Sequence, residues 1–410
     1  MNQGEGQELQ QKLISLGHSI AATAEDAEVV VVNTCVVIKV TELKILKRMK
    51  HLRSEAKGLI ITGCMASVQG SELMGEFPDA LLIPPSDYDL FEERIVESYG
   101  ECKEKLERVQ QLVGTTFIMP IAQGCLGHCS YCITRLARGG LRSYPLEEIS
   151  RIAGGAIKGG AKELLVTAQD TACYGKDSGS SLADLIERLC SLEGDFKIRI
   201  GMMNPDSLRG QESDLARIIG HAKVYKFLHL PVQTGSDRLI KAMGRGYKVQ
   251  EFEDQVTTIR QAVPRLTLST DVICGFPGEY DQDHIDTLEM LHRVKPNIVN
   301  VTRFSSRPGT VAESMSPQVV SRIAKERSRD IAKLRFEIAS EINSRLIGEC
   351  LEVIATEEGK AGTTICRDFA FVQVVIPLKL PLGTKLKAEI TESHPTYVIG
   401  RSINKFIYSY

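Results

Sequence analysis

The sequence predicts an α/β protein in three parts. These are an N-terminal open parallel α/β domain over residues 1–105, a central partial (β/α)6 barrel over 110–342 and a small all-β barrel over 343–410. Three observations predict it. Apolar, β-branched runs alternate with helix-length amphipathic stretches through the first two parts, the pattern of βα units around a parallel sheet. The last segment switches to short strands parted by Gly-containing turns, as in a small closed barrel. Polar and Gly-rich motifs follow the strands, at the edge where parallel sheets bind ligands.

In the first domain, residues 6–16 read as a helix with Leu9, Leu13, Ile14 and Leu16 on its apolar side, closed by Gly17. Residues 29–32 are four valines in a row, expected as a buried parallel strand. That strand ends in Asn33-Thr34-Cys35. A helix over 41–56 leads to a second strand, 59–62, ending in Gly63-Cys64-Met65. Each strand thus delivers a cysteine at its carboxyl end. Either alone reads as a core thiol; together they read as ligands. The helical stretch 39–57 carries Lys39, Lys44, Lys47, Arg48, Lys50, Arg53 and Lys57, either a solvated face or a phosphate-contacting one. Residues 85–114 form a charged helical linker, in which Cys102 reads as structural or exposed.

A short strand from Phe117 leads into Gly124-Cys-Leu-Gly-His-Cys-Ser-Tyr-Cys132. Cys125, Cys129 and Cys132 stand as C-x3-C-x2-C. Three thiolates on one loop hold three irons of a cubane cluster and leave the fourth open to a small molecule. An odd trio so close together does not pair off as disulfides. Zinc wants a fourth Cys or His, and His128 inside the loop lacks the usual paired spacing. Tyr131 is placed to pack over a ligand on the cluster.

The barrel strands are expected at 163–166, 197–201, 226–229, 266–272 and 297–302, with helices such as 182–191 and 249–262 between them. The loop after 166 offers Gln169 and Thr171 as polar groups for an amino acid or ribose. Gln233, in Pro231-Val-Gln-Thr-Gly-Ser-Asp237, offers a donor and an acceptor. Gly275, in Gly275-Phe-Pro-Gly-Glu279, lets backbone approach a ligand; Cys274 before it reads as packing. Residues 318–344 form a charged helix with one apolar face. Strands at 351–355, 369–376, 385–390 and 396–401 make the last barrel. Its cations include Arg345, Lys360, Arg367, Lys379, Lys385, Lys387, Arg401 and Lys405. Phe369, Phe371 and Tyr397 either stack on bases or fill a core.

Hydrophobic content of 43% and charged content of 25% are those of an ordinary globular chain. No apolar stretch approaches the ~20 residues of a membrane span, and the polar first residues do not form a signal peptide. Eleven cysteines fit metal ligation in a reducing cytoplasm. A net charge of −2 gives no global pull toward nucleic acid. The expectation is a cytoplasmic monomer with no membrane partner.

C-x3-C-x2-C with an aromatic before the third cysteine resembles the signature of radical S-adenosylmethionine (SAM) enzymes. In that superfamily the open iron chelates SAM, and an electron from the cluster cleaves it to a 5′-deoxyadenosyl radical. Asn33-Thr34-Cys35, Gly63-Cys64-Met-Ala, Arg138-Gly139 with Arg142-Ser143, Gln169-Asp170-Thr171, 231–237, 275–279 and 304–310 resemble the methylthiotransferase family over essentially the whole chain. The resemblance implies two 4Fe-4S clusters, one on Cys125, Cys129 and Cys132, and a sulfur-carrying one on Cys35 and Cys64. It implies SAM as cofactor, with Tyr131, Arg138, Gln169, Thr171, Gln233 and Gly275 around it. It also implies an electron-donor protein, tRNA as substrate and a TRAM-like, RNA-gripping barrel at the carboxyl end. Asn2 matches the Asn of a Cys-x-x-Asn segment whose cysteine would stand one residue ahead of Met1. The expectation is a start assigned at an internal methionine, with that cysteine and a first strand upstream. Gly201-Met-Met-Asn-Pro and 225–231 resemble the archaeal and eukaryotic branch, which acts on N6-threonylcarbamoyladenosine at tRNA position 37. The alternatives are isopentenyladenosine in tRNA, an aspartate of a ribosomal protein, another radical SAM reaction such as methylation, and a non-catalytic Fe–S RNA-binding protein.

Overall fold

A computed structural model describes residues 2–37, 39–100, 112 and 114–403. Cys102, Lys405 and residues 101–111 and 113 of the expected helical linker lie outside the described residues. The described residues of 1–111, with Ala122–Ser143 and Ser305–Ser314, form one compact unit; those of 112–121, Tyr144–Phe304 and 315–410 form another. The cysteine loop, expected with the central barrel, therefore packs with the first domain. The C-terminal small barrel packs with the central one.

In the first unit, β1 (Val29–Thr34), β2 (Gly58–Gly63) and β3 (Leu81–Ile83) form a parallel sheet in the order β1-β2-β3. Helices α1 (Asn2–Ser15), α2 (Lys39–Glu55) and α3 (Cys64–Val68) flank it. Strand alternation splits β2 between two cores. Ile60 joins Leu9, Ile83, Phe91 and Ile95, while Leu59 and Ile61 join Val36, Met49, Met65 and Phe77. The second core also takes in Ile133 and Ala137 of α4 (Ile133–Arg138), the helix that leaves the cysteine loop. α1 begins at Asn2, earlier than its apolar pattern. β1 departs from expectation. Among the described residues it is an edge strand, half-exposed over Val29–Asn33, with β2 as its partner on one side. Beside it runs a groove of about 1050 Å³ lined by Leu9, Leu13, Arg48 and residues 17–28. A run of valines signals two apolar faces and is silent about whether each edge has a neighbour.

In the second unit six parallel strands curve into a partial barrel. They are β4 (Thr116–Pro120), β5 (Glu163–Thr167), β6 (Lys197–Ile200), β7 (Phe227–His229), β8 (Thr267–Cys274) and β9 (Ile298–Arg303). Two three-stranded runs, β4-β5-β6 and β7-β8-β9, are joined by the single bridge Ile198↔Val224. The long helix α5 (Ser321–Ser344) buries Ala324, Ile331, Leu334 and Ile338 and packs on β8 and β9.

The C-terminal barrel closes in the order β10-β11-β12-β14-β13. Its strands are β10 (Cys350–Glu358), β11 (Thr364–Asp368), β12 (Gln373–Ile376), β13 (Lys385–Ser393) and β14 (Val398–Ser402). The strand expected at 369–376 is a turn followed by β12, and β11 had not been foreseen. The buried Asp368 carboxylate accepts the N–H groups of Ala370 (2.9 Å) and Val372 (2.8 Å). An aspartate bonded to backbone two residues on makes a turn of what reads as a strand. Among the described residues no helix is long and apolar enough to cross a membrane.

Candidate active site

The cysteine loop is held at both ends by backbone. Gln123 and Ala122 pair antiparallel with Arg142 and Ser143. Gly124 has φ 75° and faces the Gly140 carbonyl so closely that a Cβ would collide with it. Only glycine fits there. Arg135 of α4 reaches back to the Gly127 carbonyl at 2.6 Å, closing the loop on its own helix. Cys125, Cys129 and Cys132 are half-exposed and outside any disulfide. The Gly127 N–H donates to Cys125 Sγ at 3.2 Å, as a ligating thiolate accepts from backbone. His128 stands exposed and Tyr131 is half-buried. Among the described residues no three Cys, His, Asp or Glu side chains converge on one ion-sized point. Three half-exposed cysteine sulfurs on one loop are the donor set an iron–sulfur cluster uses.

Cys35 and Cys64 follow the paired strand ends Thr34 and Gly63, which stand in register. The parallel ladder thus carries the two thiols to adjacent places on one sheet edge. Thr34 locks this edge, its hydroxyl donating to Thr62 O (2.5 Å) and accepting from Met65 N–H (3.0 Å). Gly63 has φ 83°, and a Cβ there would strike the Thr34 carbonyl. Asn2, at the start of α1, donates to Thr34 O at 3.2 Å, so the helix begins at the same edge. Cys64 is buried and Cys35 half-exposed. Burial pushes the Cys64 thiol up, against the pull of the Arg138 guanidinium.

Arg138 lies buried within the first unit. Its side chain is 3% exposed and paired with Glu5, itself 2% exposed. Nη2 donates to Glu5 Oε2 at 2.7 Å and to Asn2 Oδ1 at 3.3 Å, while Nε donates to Cys64 Sγ at 3.2 Å. These bonds tie Arg138 to the Cys35–Cys64 edge. A second buried pair, Arg307 Nη1 to Glu42 Oε2 at 2.6 Å, lies in the same unit. Neither pair was visible in the sequence, because the partners stand 133 and 265 residues apart. Only the unusual burial of charge marks them.

The other SAM candidates stand in the second unit. Gln169 follows β5, and its buried Oε1 has no hydrogen-bond partner among the described residues. Gln233 is 7% exposed and holds φ 73°. Such a left-handed non-glycine costs about 1–3 kcal/mol and is found where function demands it. Thr171 and Gly275 have contacts of their own within the unit. Thr171 is fully buried and its hydroxyl donates to the Gly201 and Met202 carbonyls (3.3 and 3.1 Å), so it shapes the loop. Gly275, at φ 76°, is pressed against Ala324 of α5, where a Cβ would lie 2.5 Å from the alanine Cβ. Its small size admits the helix. The sequence reading did not single out a polar row across β7–β9. There Asp271 accepts from His229 Nε2 (2.9 Å) and Asn300 Nδ2 (2.7 Å). Burial would raise the Asp271 carboxyl, but the His229 hydrogen bond and charge outweigh it and hold it low. Cys274 is fully buried, its thiol pushed up to about 12 by burial, as a packing cysteine should be.

The signature of the Radical SAM superfamily matches residues 119–291, and that of an uncharacterised protein family, UPF0004, matches residues 1–83. A protein of Pyrococcus abyssi named as a threonylcarbamoyladenosine tRNA methylthiotransferase is 39% identical over 97% of this chain and 96% of its own. The chain belongs to the threonylcarbamoyladenosine tRNA methylthiotransferase family. The human protein of that name is 31% identical over 98% of this chain and 72% of its own length. Among solved structures, the radical SAM methyltransferase TsrM of Kitasatospora setae, with cobalamin and a [4Fe-4S] cluster bound, superposes with a TM-score of 0.55. The match covers 70% of this chain and 63% of that one. At 12% identity the likeness speaks for the fold alone. An iron–sulfur cluster and SAM go with the superfamily, and this methylthiotransferase chain has the loop thiols to hold the cluster.

Proposed function

We propose that the protein transfers a methylsulfanyl group to C2 of N6-threonylcarbamoyladenosine at tRNA position 37, with SAM as radical source. The observation that carries this is the pairing, in one unit, of the three-thiol loop with Cys35 and Cys64 at adjacent strand ends. An unactivated C–H bond offers no proton to an ordinary base, so the bound cofactor supplies the hydrogen abstraction. The chain's own residues do the rest. Cys125, Cys129 and Cys132 hold the cluster that receives SAM. Cys35 and Cys64 are the ligands this chain offers a second 4Fe-4S cluster. Tyr131 flanks the first cluster; Gln169 and the strained Gln233 orient SAM. An electron-donor protein reduces the enzyme, which acts as a cytoplasmic monomer. The full-length match to relatives named for threonylcarbamoyladenosine favours this substrate over isopentenyladenosine or a ribosomal aspartate.

The test is anaerobic reconstitution with iron and sulfide, followed by nucleoside mass spectrometry of tRNA incubated with SAM and reductant. The expected product is threonylcarbamoyladenosine heavier by a methylsulfanyl group, lost in Cys125→Ala. SAM cleavage without sulfur transfer would mean another radical SAM reaction. No SAM cleavage by a cluster-loaded protein would leave only a binding role.

A further inference from the structure

Beside the cysteine loop the first unit turns aliphatic side chains to solvent. Val37, Val40, Leu43, Leu126, Leu136 and Val311 are each between 45% and 64% exposed, and all six belong to that unit. Leu126 stands in the loop itself, next to Cys125. The Ala312 N–H donates to the Ser130 carbonyl at 2.9 Å, which ties Val311 to the loop. A Cβ on Gly309 would lie 3.4 Å from Leu136 Cδ1. Arg307 donates to Glu42 at 2.6 Å, which ties the same segment to α2. There Val40 and Leu43 are neighbours on one helix face. Single exposed aliphatics are ordinary, whereas a gathering of them marks an interaction site. Lys44 and Lys47 continue the face of Val40, four and seven residues on. Both are exposed. Lys39 and Lys50 pair with Glu42 and Glu76, but among the described residues Lys44 and Lys47 have no ion pair.

We infer that this surface docks the electron donor, a small acidic protein with a one-electron centre. The inference rests on the radical SAM function proposed above. Two observations select this occupant. Lysines without carboxylates of their own complement an anionic partner, and the loop at the edge of the patch is where the electron arrives. RNA is anionic too, but unpaired nucleotides are held by stacking bases on aromatic rings, and the six patch residues are all aliphatic. Redox partners meet over small interfaces, below about 1,200 Å² in total. A short apolar patch with cations along one side, steering the encounter by charge, has that form. One electron passes from the carrier to the loop cluster. The carrier is oxidised by one electron, the cluster is reduced by one, and no atom is exchanged.

The test uses the full chain, with an acidic flavodoxin and an acidic 2Fe-2S ferredoxin as probes. Binding of each oxidised carrier to the chain without iron or SAM is measured by calorimetry, apart from any activity. At least one carrier should bind, and Lys44→Glu combined with Lys47→Glu should weaken it at least about tenfold at low salt. Leu43→Ser should weaken it as well, but with the native salt dependence. After loading with iron and sulfide, the charge-reversed chain should need at least about tenfold more reduced carrier for half-maximal SAM cleavage, at an unchanged plateau. Cleavage driven by dithionite should stay native. Binding of neither carrier to the native chain, or native binding in both variants, would overturn the inference. So would a loss of tRNA affinity in the variants with carrier binding unmoved, which would assign the face to RNA. Absence of dithionite-driven SAM cleavage in the loaded native chain would instead overturn the radical SAM reading, whatever the carriers bind.

Discussion

Glu42 shows how much a single buried charge commits the chain to. It is 2% exposed at the side chain, accepts from Lys39, Gln69 and Arg307, and faces an arginine as buried as itself. Arg307 Nε and Nη2 have no partner in the interior, so Glu42 carries most of its compensation. Removing one member of such a pair leaves an uncompensated ion, and Glu42→Ala should cost about 3–5 kcal/mol in urea denaturation. The pH dependence follows from the direction of its shift. Burial would raise the carboxyl, but hydrogen bonds from Lys39 and Gln69 and the charges of Lys39 and Arg307 hold it below the ordinary value of 4.5. A depressed carboxylate contributes stability that is present above its unfolded pKa and lost as pH falls through the folded one. Melting temperature plotted against pH should therefore fall more steeply on the acid side of pH ~4.5 for the native chain than for Glu42→Gln. Parallel curves would contradict that sign. Gly63→Ala is the backbone counterpart. A left-handed φ combined with collision against Thr34 O should cost at least about 1–3 kcal/mol by the same measurement.

At the scale of elements, what was legible in the sequence was what is encoded within a few residues. Strand runs, helix periodicity and the cysteine spacing are local, and six barrel strands with motif loops at their carboxyl ends follow from them. Two kinds of feature were not local. The edge position of β1 depends on what lies beside it, and the destiny of Arg138 on a glutamate 133 residues away. The turn at 369–372 was misread because aromatic residues favour strands, while the deciding hydrogen bonds come from one buried aspartate. That turn changes the role of its aromatics. Phe371 packs edge-on against Tyr225 and Phe227 with ring centroids at 4.9 and 5.2 Å, and Arg199 and Arg367 lie over it at 5.0 and 4.6 Å. Phe369 lies under Lys226 and Arg265, and Tyr397 stacks on His394. These rings are engaged within the protein. Phe371→Ala should destabilise the second unit by about 2 kcal/mol, since the ring is half-buried rather than fully so. Limited proteolysis should then release the small barrel earlier than in the native chain; an unchanged digestion pattern would mean the turn does not anchor it.

For the molecule as a whole, a formal charge of −2 means that any hold on a polyanion must be local. The second unit offers one such place. A groove of about 330 Å³ is lined by Lys197, Arg367, Lys385 and Lys387, with Tyr225 and Phe369 beside them. Part of this charge is already met. Lys385 pairs with Asp195, Arg367 with Glu357 at 3.3 Å, and Lys387 with Glu352 at a looser 3.7 Å. Lys197 is held below the ordinary lysine value, first by burial and then by the charge of Lys385. A phosphate entering the groove relieves that repulsion, and each neutralised phosphate contributes roughly 0.7–0.9 to the slope of log affinity against log salt. Lys197→Ala and Lys387→Ala should therefore each weaken tRNA binding and reduce that slope by about one. SAM cleavage without tRNA should be unchanged, because neither residue lies on the cysteine loop or the loops after the barrel strands. Filter binding over a salt series gives the slope directly. If both variants keep the native slope, the RNA path runs elsewhere, and the basic face of α2, where Lys39, Lys50 and Arg53 already pair with Glu42, Glu76 and Asp79, is the next surface to vary.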